Sequence, residues 1–178
     1  MANKHASLDA LFADIADAIR EKIGDEGIIP AVEFPSLIRD RLEIVPIVVD
    51  VNITASNISE YFTVTNGSSY YFNGQGNVFT TNNAGVNNST ASTILTAKQN
   101  ISEISFNYSY SSESNYGNFT LKVAGSTIEN AVSGATTIKS YKGSLSSGQT
   151  IEFRYVKDSS GNSNDDKCTF SNMVIKLG

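Results

Sequence analysis

The chain has 178 residues, of which 40% are hydrophobic and only 17% charged, with a formal net charge of −5. An acidic chain without a Lys/Arg cluster does not suit a phosphate backbone, so nucleic acid is excluded as a partner. A single cysteine, Cys168, rules out an intrachain disulfide, and no apolar run is long enough to span a bilayer, so membrane insertion is excluded too.

The first 45 residues differ from the rest. They hold nine of the eighteen acids, and Leu8, Leu11, Phe12, Ile15, Ile19 and Ile23 recur at helical spacing. Ser7 can cap this helix, Asp9 suits its positive end, and Gly24 is a natural stop. A turn over Asp25–Pro30 leads to a second short helix, roughly Pro35–Leu42, with Leu37, Ile38 and Leu42 on its apolar side. Two helices this short bury too little by themselves. Their stripe is covered either by the rest of this chain or by another subunit. The second reading makes residues 1–45 a helical hairpin for docking, with Leu8, Leu11, Phe12, Ile15, Ile19, Ile23, Ile38 and Leu42 as its face. No apolar signal-peptide core precedes it, so the expectation is synthesis in a cytoplasm without a signal peptide.

Residues 46–55 read as a linker or a first edge strand, because Pro46 cannot donate to a ladder. From residue 56 to 178 the chain is a series of short strands about ten residues apart. Tyr61–Thr65 and Tyr70–Asn73 flank Asn66-Gly67, a strong hairpin signal. Asn77–Thr81 and Ala91–Thr96 follow, separated by a Gly/Asn loop. In Glu103–Ser111, Ile104, Phe106, Tyr108 and Tyr110 alternate with small polar residues, which predicts an aromatic inner face. Asn118–Val123 and Thr127–Glu129 flank the tight turn Ala124-Gly125-Ser126, and Thr137–Gly143 comes next. Gln149–Lys157 buries Ile151, Phe153 and Tyr155. In the last strand, Cys168–Leu177, the apolar parity changes between Phe170 and Met173, and a bulge near Ser171-Asn172 restores one face. The predicted class is mainly β: an antiparallel jelly-roll-like β-sandwich preceded by a small α-helical hairpin.

Catalytic chemistry is poorly provided for. His5, the only histidine, lies in the N-terminal stretch, and Cys168 reads as a small core residue. Glu103, Glu113, Glu129 and Glu152 sit on separate strands and loops, with nothing to pair them for glycoside hydrolysis. A hydrolase is therefore the least favoured reading, and no cofactor is expected apart from calcium. The acidic loop Asp158, Asn162, Asn164, Asp165 and Asp166 offers hard oxygen ligands around Gly161, although without the EF-hand register. Sugar recognition needs an exposed aromatic with planar polar partners. Tyr70, Tyr71, Phe72, Tyr116 and Tyr141 lie at strand ends or loops, where most aromatics of a sandwich are core or corner residues. Tyr116, flanked by Asn115 and Gly117 and with Glu113 nearby, is the best surface candidate.

Two resemblances extend this reading. Ser111–Tyr116, Ala124–Ser126, Val132–Gly134, Leu145–Gln149 and Phe153–Asp166 follow one another in an order that resembles bacterial and phage jelly-roll domains of the MAM-type and cleaved-adhesin kind. That resemblance implies a carbohydrate- or surface-binding accessory. The family pattern often has Asp where this chain has Gly117. The stretch Leu8–Leu42, with Ile-Ala-Asp-Ala-Ile-Arg-Glu-Lys and Phe-Pro, resembles a small module at the start of tail, baseplate and other virion proteins of phages of Gram-positive bacteria. It implies a virion protein attached to other virion proteins through its helices and exposed on the particle surface. As a tail or baseplate adhesin, a capsid decoration or a fibre, it would be a homo-oligomer with host cell-surface glycans as its targets. The alternative is a purely structural virion subunit with no ligand.

Overall fold

The computed structural model describes residues 15–18, 20–21, 48–159 and 166–177. The chain divides into two units, Met1–Pro46 and Ile47–Gly178. In the first, the described residues are helical; Ile15 is exposed, Ala16 is buried, and Arg20 is ion-paired with Asp17 one turn away. The remaining docking-face positions, Leu8, Leu11, Phe12, Ile19, Ile23, Ile38 and Leu42, lie outside the described residues, as does the second predicted helix. Among the described residues no helix is long and apolar enough to cross a membrane.

The second unit consists of eleven strands and a one-turn helix, Ile58–Tyr61. The strands are β1 (Val49–Asn52), β2 (Phe62–Asn66), β3 (Phe72–Gln75), β4 (Val78–Thr81), β5 (Thr90–Ala97) and β6 (Ile101–Ser111). They continue with β7 (Asn118–Val123), β8 (Ser126–Val132), β9 (Lys139–Leu145), β10 (Thr150–Val156) and β11 (Lys167–Leu177). One sheet runs β3-β4-β11-β6-β9, with β1 also on β11; the other runs β2-β5-β10-β7-β8. All strand pairs are antiparallel. From β4 to β11 every connection except β7–β8 crosses from one sheet to the other, giving four-strand orders 4-11-6-9 and 5-10-7-8. That is jelly-roll winding, so the expected architecture is the one the chain adopts.

The inner faces follow the alternation in the sequence. Ile104, Phe106, Tyr108 and Tyr110 of β6 are all buried, as are Ile151, Phe153 and Tyr155 of β10. Phe170 stacks on Phe153, ring centroids 4.1 Å apart, and on Phe79 at 4.5 Å, so aromatic contacts tie the two sheets together. The bulge in β11 is present: its register against β6 shifts between Ser171 and Val174, and Asn172 takes a φ of 51°. Cys168, Phe170, Met173 and Ile175 consequently all face inward. Ala124 and Gly125 have φ of 49° and 80° and join β7 to β8 as a two-residue hairpin.

The Asn66-Gly67 hairpin is not formed. β2 belongs to one sheet and β3 to the other, so this dipeptide begins a crossover. Neither residue has the positive φ of a primed turn. Gly67 serves close approach instead: a Cβ there would lie 2.6 Å from the Tyr70 carbonyl oxygen and 2.8 Å from Ser92 Oγ. Its amide donates to the Ser92 carbonyl, and the Ser92 amide donates to the Tyr70 carbonyl, stitching the crossover to β5.

Candidate functional site

Strand register gathers several loops at one end of the sandwich. Val156 lies opposite both Thr90 and Asn118, and Lys167 lies opposite Ser111. The stretches 82–89 and 112–117 therefore share an end with residues 157–159 and 166, and 133–138 joins them because Val132 lies near Phe119 in register.

The loop between β6 and β7 holds the sequence-predicted trio Glu113, Asn115 and Tyr116. Tyr116 is 54% exposed, the most exposed aromatic side chain among the described residues. Its loop is nonetheless fixed. Buried Ser112 accepts from the Gly134 amide at 3.0 Å and donates to the Gly117 carbonyl at 3.1 Å. The Asn115 amide donates to Ser133 Oγ at 2.9 Å, and the Tyr116 amide to the Glu113 carbonyl at 3.2 Å. Asn115 has a φ of 70° and Gly117 one of 67°. Gly117 is needed twice over, because a Cβ there would also lie 2.7 Å from the Tyr155 hydroxyl. An Asp at this position, as in the jelly-roll pattern, would meet that hydroxyl. The other aromatic candidates are less available: Phe72 is buried, Tyr70 and Tyr71 are half-buried, and half-buried Tyr141 stacks on Phe106 at 5.2 Å.

Of the five groups proposed for calcium, Asp158 and Asp166 fall within the described residues, and Asn162, Asn164 and Asp165 lie outside them. The two described acids surround an ammonium that the sequence reading passed over. Lys157 has no side-chain exposure; its Nζ is 2.8 Å from Asp166 Oδ2 and 3.7 Å from Asp158 Oδ1. The signal was there, since Lys157 continues the inward parity of Ile151, Phe153 and Tyr155 at the end of β10. Tyr155 donates to Asp166 Oδ1 at 3.4 Å, and burial together with this carboxylate pushes the phenol pKa well up. The Lys157 amide donates to the Ser89 carbonyl and the Asn88 amide to the Asp158 carbonyl, so the 82–89 loop is tied to the same centre.

Glu129 and Glu103, weighed above for hydrolysis, sit at separate places on the sandwich. Glu129 accepts from Tyr108 at 2.8 Å and from Lys139 at 2.7 Å, across the open side between β8 and β9. Glu103 is ion-paired with Lys142 and Lys176. Burial raises the Cys168 thiol pKa well above its usual value, so it stays a protonated core group. Glu129 and Glu103 are thus each neutralised by neighbouring lysines.

No family model matches the chain, and no curated protein matches it. Among solved structures it is similar to the secreted serine protease VesC from Vibrio cholerae, with a TM-score of 0.52 and 12% identity over 72% of this chain. The match spans 28% of VesC, and at this identity the likeness is one of fold. It is also similar to the K2 cleaved adhesin domain of Lys-gingipain, with a TM-score of 0.42 and 11% identity over 72% of this chain and 100% of that one. A family 29 carbohydrate binding module matches with a TM-score of 0.42 and 12% identity over 74% of this chain and 93% of that one.

Proposed function

We propose that this chain is a non-catalytic recognition module whose loop end binds glycans on a cell surface, carried on a phage particle by residues 1–45. The observation that carries the binding reading is Tyr116: a largely exposed ring on a loop whose backbone is locked by Ser112, Ser133 and Gly134. An apolar ring face in a preset position can stack on the C–H face of a sugar at small entropic cost. Asn115 and Glu113 beside it supply the amide and carboxylate that pair with hydroxyl groups. The virion setting rests on the sequence resemblance of Leu8–Leu42, and exposed Ile15 suits a helix that packs on another subunit. Single contacts of this kind are weak, and multivalent display on a homo-oligomer would make them useful.

A glycan array probed with the full chain, assembled on a multivalent support, tests the reading. Binding to a defined set of glycans, reduced about tenfold or more in Tyr116→Ala with no change in melting temperature, is the expected result. No binding at high valency would favour a structural subunit without a ligand.

A further inference from the structure

Tyr116 closes a tight turn that begins at Glu113. The Tyr116 amide donates to the Glu113 carbonyl at 3.2 Å, and Asn115, in third place, takes a φ of 70° while Ser114 before it does not have a positive φ. That is the backbone of a type II turn, in which the first and fourth Cα atoms lie within ~7 Å of each other. A carboxylate and an exposed phenol ring are thereby held near enough for one pyranose to touch both.

Both groups are open to a ligand. Tyr116 takes part in no ring–ring contact among the described residues, and the lysine that lies over a tyrosine ring there is Lys139 over Tyr110. Glu113 is half-buried, and among the described residues no cation pairs with its carboxylate. Glu103, Glu129, Asp158 and Asp166, by contrast, all have lysine partners. A half-buried carboxylate without a counter-ion, in a chain of net charge −5, attracts cations and repels anions. The face of a phenol ring does the same, because its quadrupole is negative there.

Ring and carboxylate together set the charge of the ligand. A carboxylated or phosphorylated sugar would bring a like charge to Glu113. An N-acetyl group would present an uncharged amide, and a hydroxyl group a single uncharged donor. A protonated amine makes charge-assisted bonds to the carboxylate and is drawn to the ring as well. We propose that the Tyr116 turn selects sugars with a free amino group, the pyranose ring lying on Tyr116 and its ammonium on the Glu113 carboxylate. The assignment rests on the glycan-binding reading and names the class of sugar that reading leaves open.

The test is an amide-resolved NMR titration of the full chain at pH ~6, where a sugar amine is protonated. The probes are the methyl glycosides of glucose, glucosamine and N-acetylglucosamine and their three galacto counterparts, so that within each series only one substituent changes. The expected result is saturable shifts at the Asn115, Tyr116 and Gly117 amides. Within at least one series the amine should bind about three- to tenfold more tightly than the other two sugars, the combined worth of an exposed ion pair and a cation–π contact. In ~1 M salt, where the Debye length is ~3 Å, that ratio should fall toward one. Glu113→Gln should bring it to about one without added salt; if that variant binds no sugar, the salt series on the unaltered chain decides. Equal or tighter binding of the hydroxyl and N-acetyl sugars would overturn the amine assignment and leave the glycan reading standing. A ratio indifferent to salt and to Glu113→Gln would do the same. Equal shifts with methylammonium alone would also overturn it, because the sugar ring would then contribute nothing. No shift with any of the six sugars would overturn it too, and the glycan array then decides the glycan reading by itself.

Discussion

Lys157 places a positive charge where the chain has no water to solvate it, and Asp166 is the group that makes this tolerable. Cutting Lys157 back to Ala would leave the Asp166 carboxylate buried without its partner, a change of the kind that costs ~3–5 kcal/mol. The expected outcome is a correspondingly lower urea midpoint for Lys157→Ala. Lys157→Met/Asp166→Asn should recover most of the loss, because it removes both charges and keeps an acceptor for Tyr155. A loss under ~1 kcal/mol in the single variant would mean that Asp166 is solvated or otherwise paired. The same ammonium bears on calcium. A metal at residues 158–166 would raise the melting temperature as its concentration exceeds Kd, and Asp165→Ala/Asp166→Ala would erase the rise. With Lys157 already supplying a positive charge to both described acids, little or no rise is expected from added calcium.

Two buried phenols make a second prediction at this scale. Burial, reinforced by Glu129 for Tyr108 and by Asp166 for Tyr155, raises both pKa values well above the usual tyrosine value. A raised folded-state pKa means a stabilising contribution fully present below the unfolded value, near pH ~10, and lost as pH climbs toward the folded one. Each phenol should then cost about 1.4 kcal/mol per pH unit above ~10. Alkaline titration followed by tyrosinate absorbance should show two groups ionising only as the circular dichroism of the fold is lost. Ionisation of all eight tyrosines together near pH ~10 with the fold intact would contradict the burial argument.

Among the elements, β11 shows how far a sequence can be followed. Its two apolar sets differ in parity, and only an extra residue between them can put both on one face; Asn172, with its φ of 51°, is that residue. Deleting Asn172 would slip the strand by one and turn Met173 and Ile175 outward, so that variant should not fold. Asn172→Gly should be close to neutral, since glycine adopts this φ freely while the bond from Asn77 Nδ2 is lost. Asn172→Val should cost at least ~1–2 kcal/mol in denaturant unfolding. The elements carried by local alternation, such as β6 and β10, were legible for the same reason. The Asn66-Gly67 crossover was not, because a hairpin and a crossover share the same local turn chemistry, and the choice is made by Ser92 on a distant strand. The candidate site divides in the same way. An exposed Tyr116 can be read from its loop neighbours, whereas the rigidity of that loop depends on Ser133 and Gly134, which only the fold brings near.

For the whole molecule, the consequence of the proposed arrangement is that affinity is set by copy number more than by any one contact. A helix that presents Ile15 outward, joined to a sandwich whose recognition loops cluster at one end, suits assembly through the first unit and display through the second. Ile15→Asp tests this with a change confined to the first unit. Sedimentation should show the wild-type chain well above its 19.1 kDa monomer mass and the variant shifted toward it. Retention on a glycan-coated surface should fall by a factor of about 10² or more, while the NMR-detected affinity for a free monosaccharide stays the same. Equal mass for both proteins would place the oligomer contact elsewhere. Equal retention after dissociation would show that one sandwich binds tightly enough alone, and that display contributes position and not avidity.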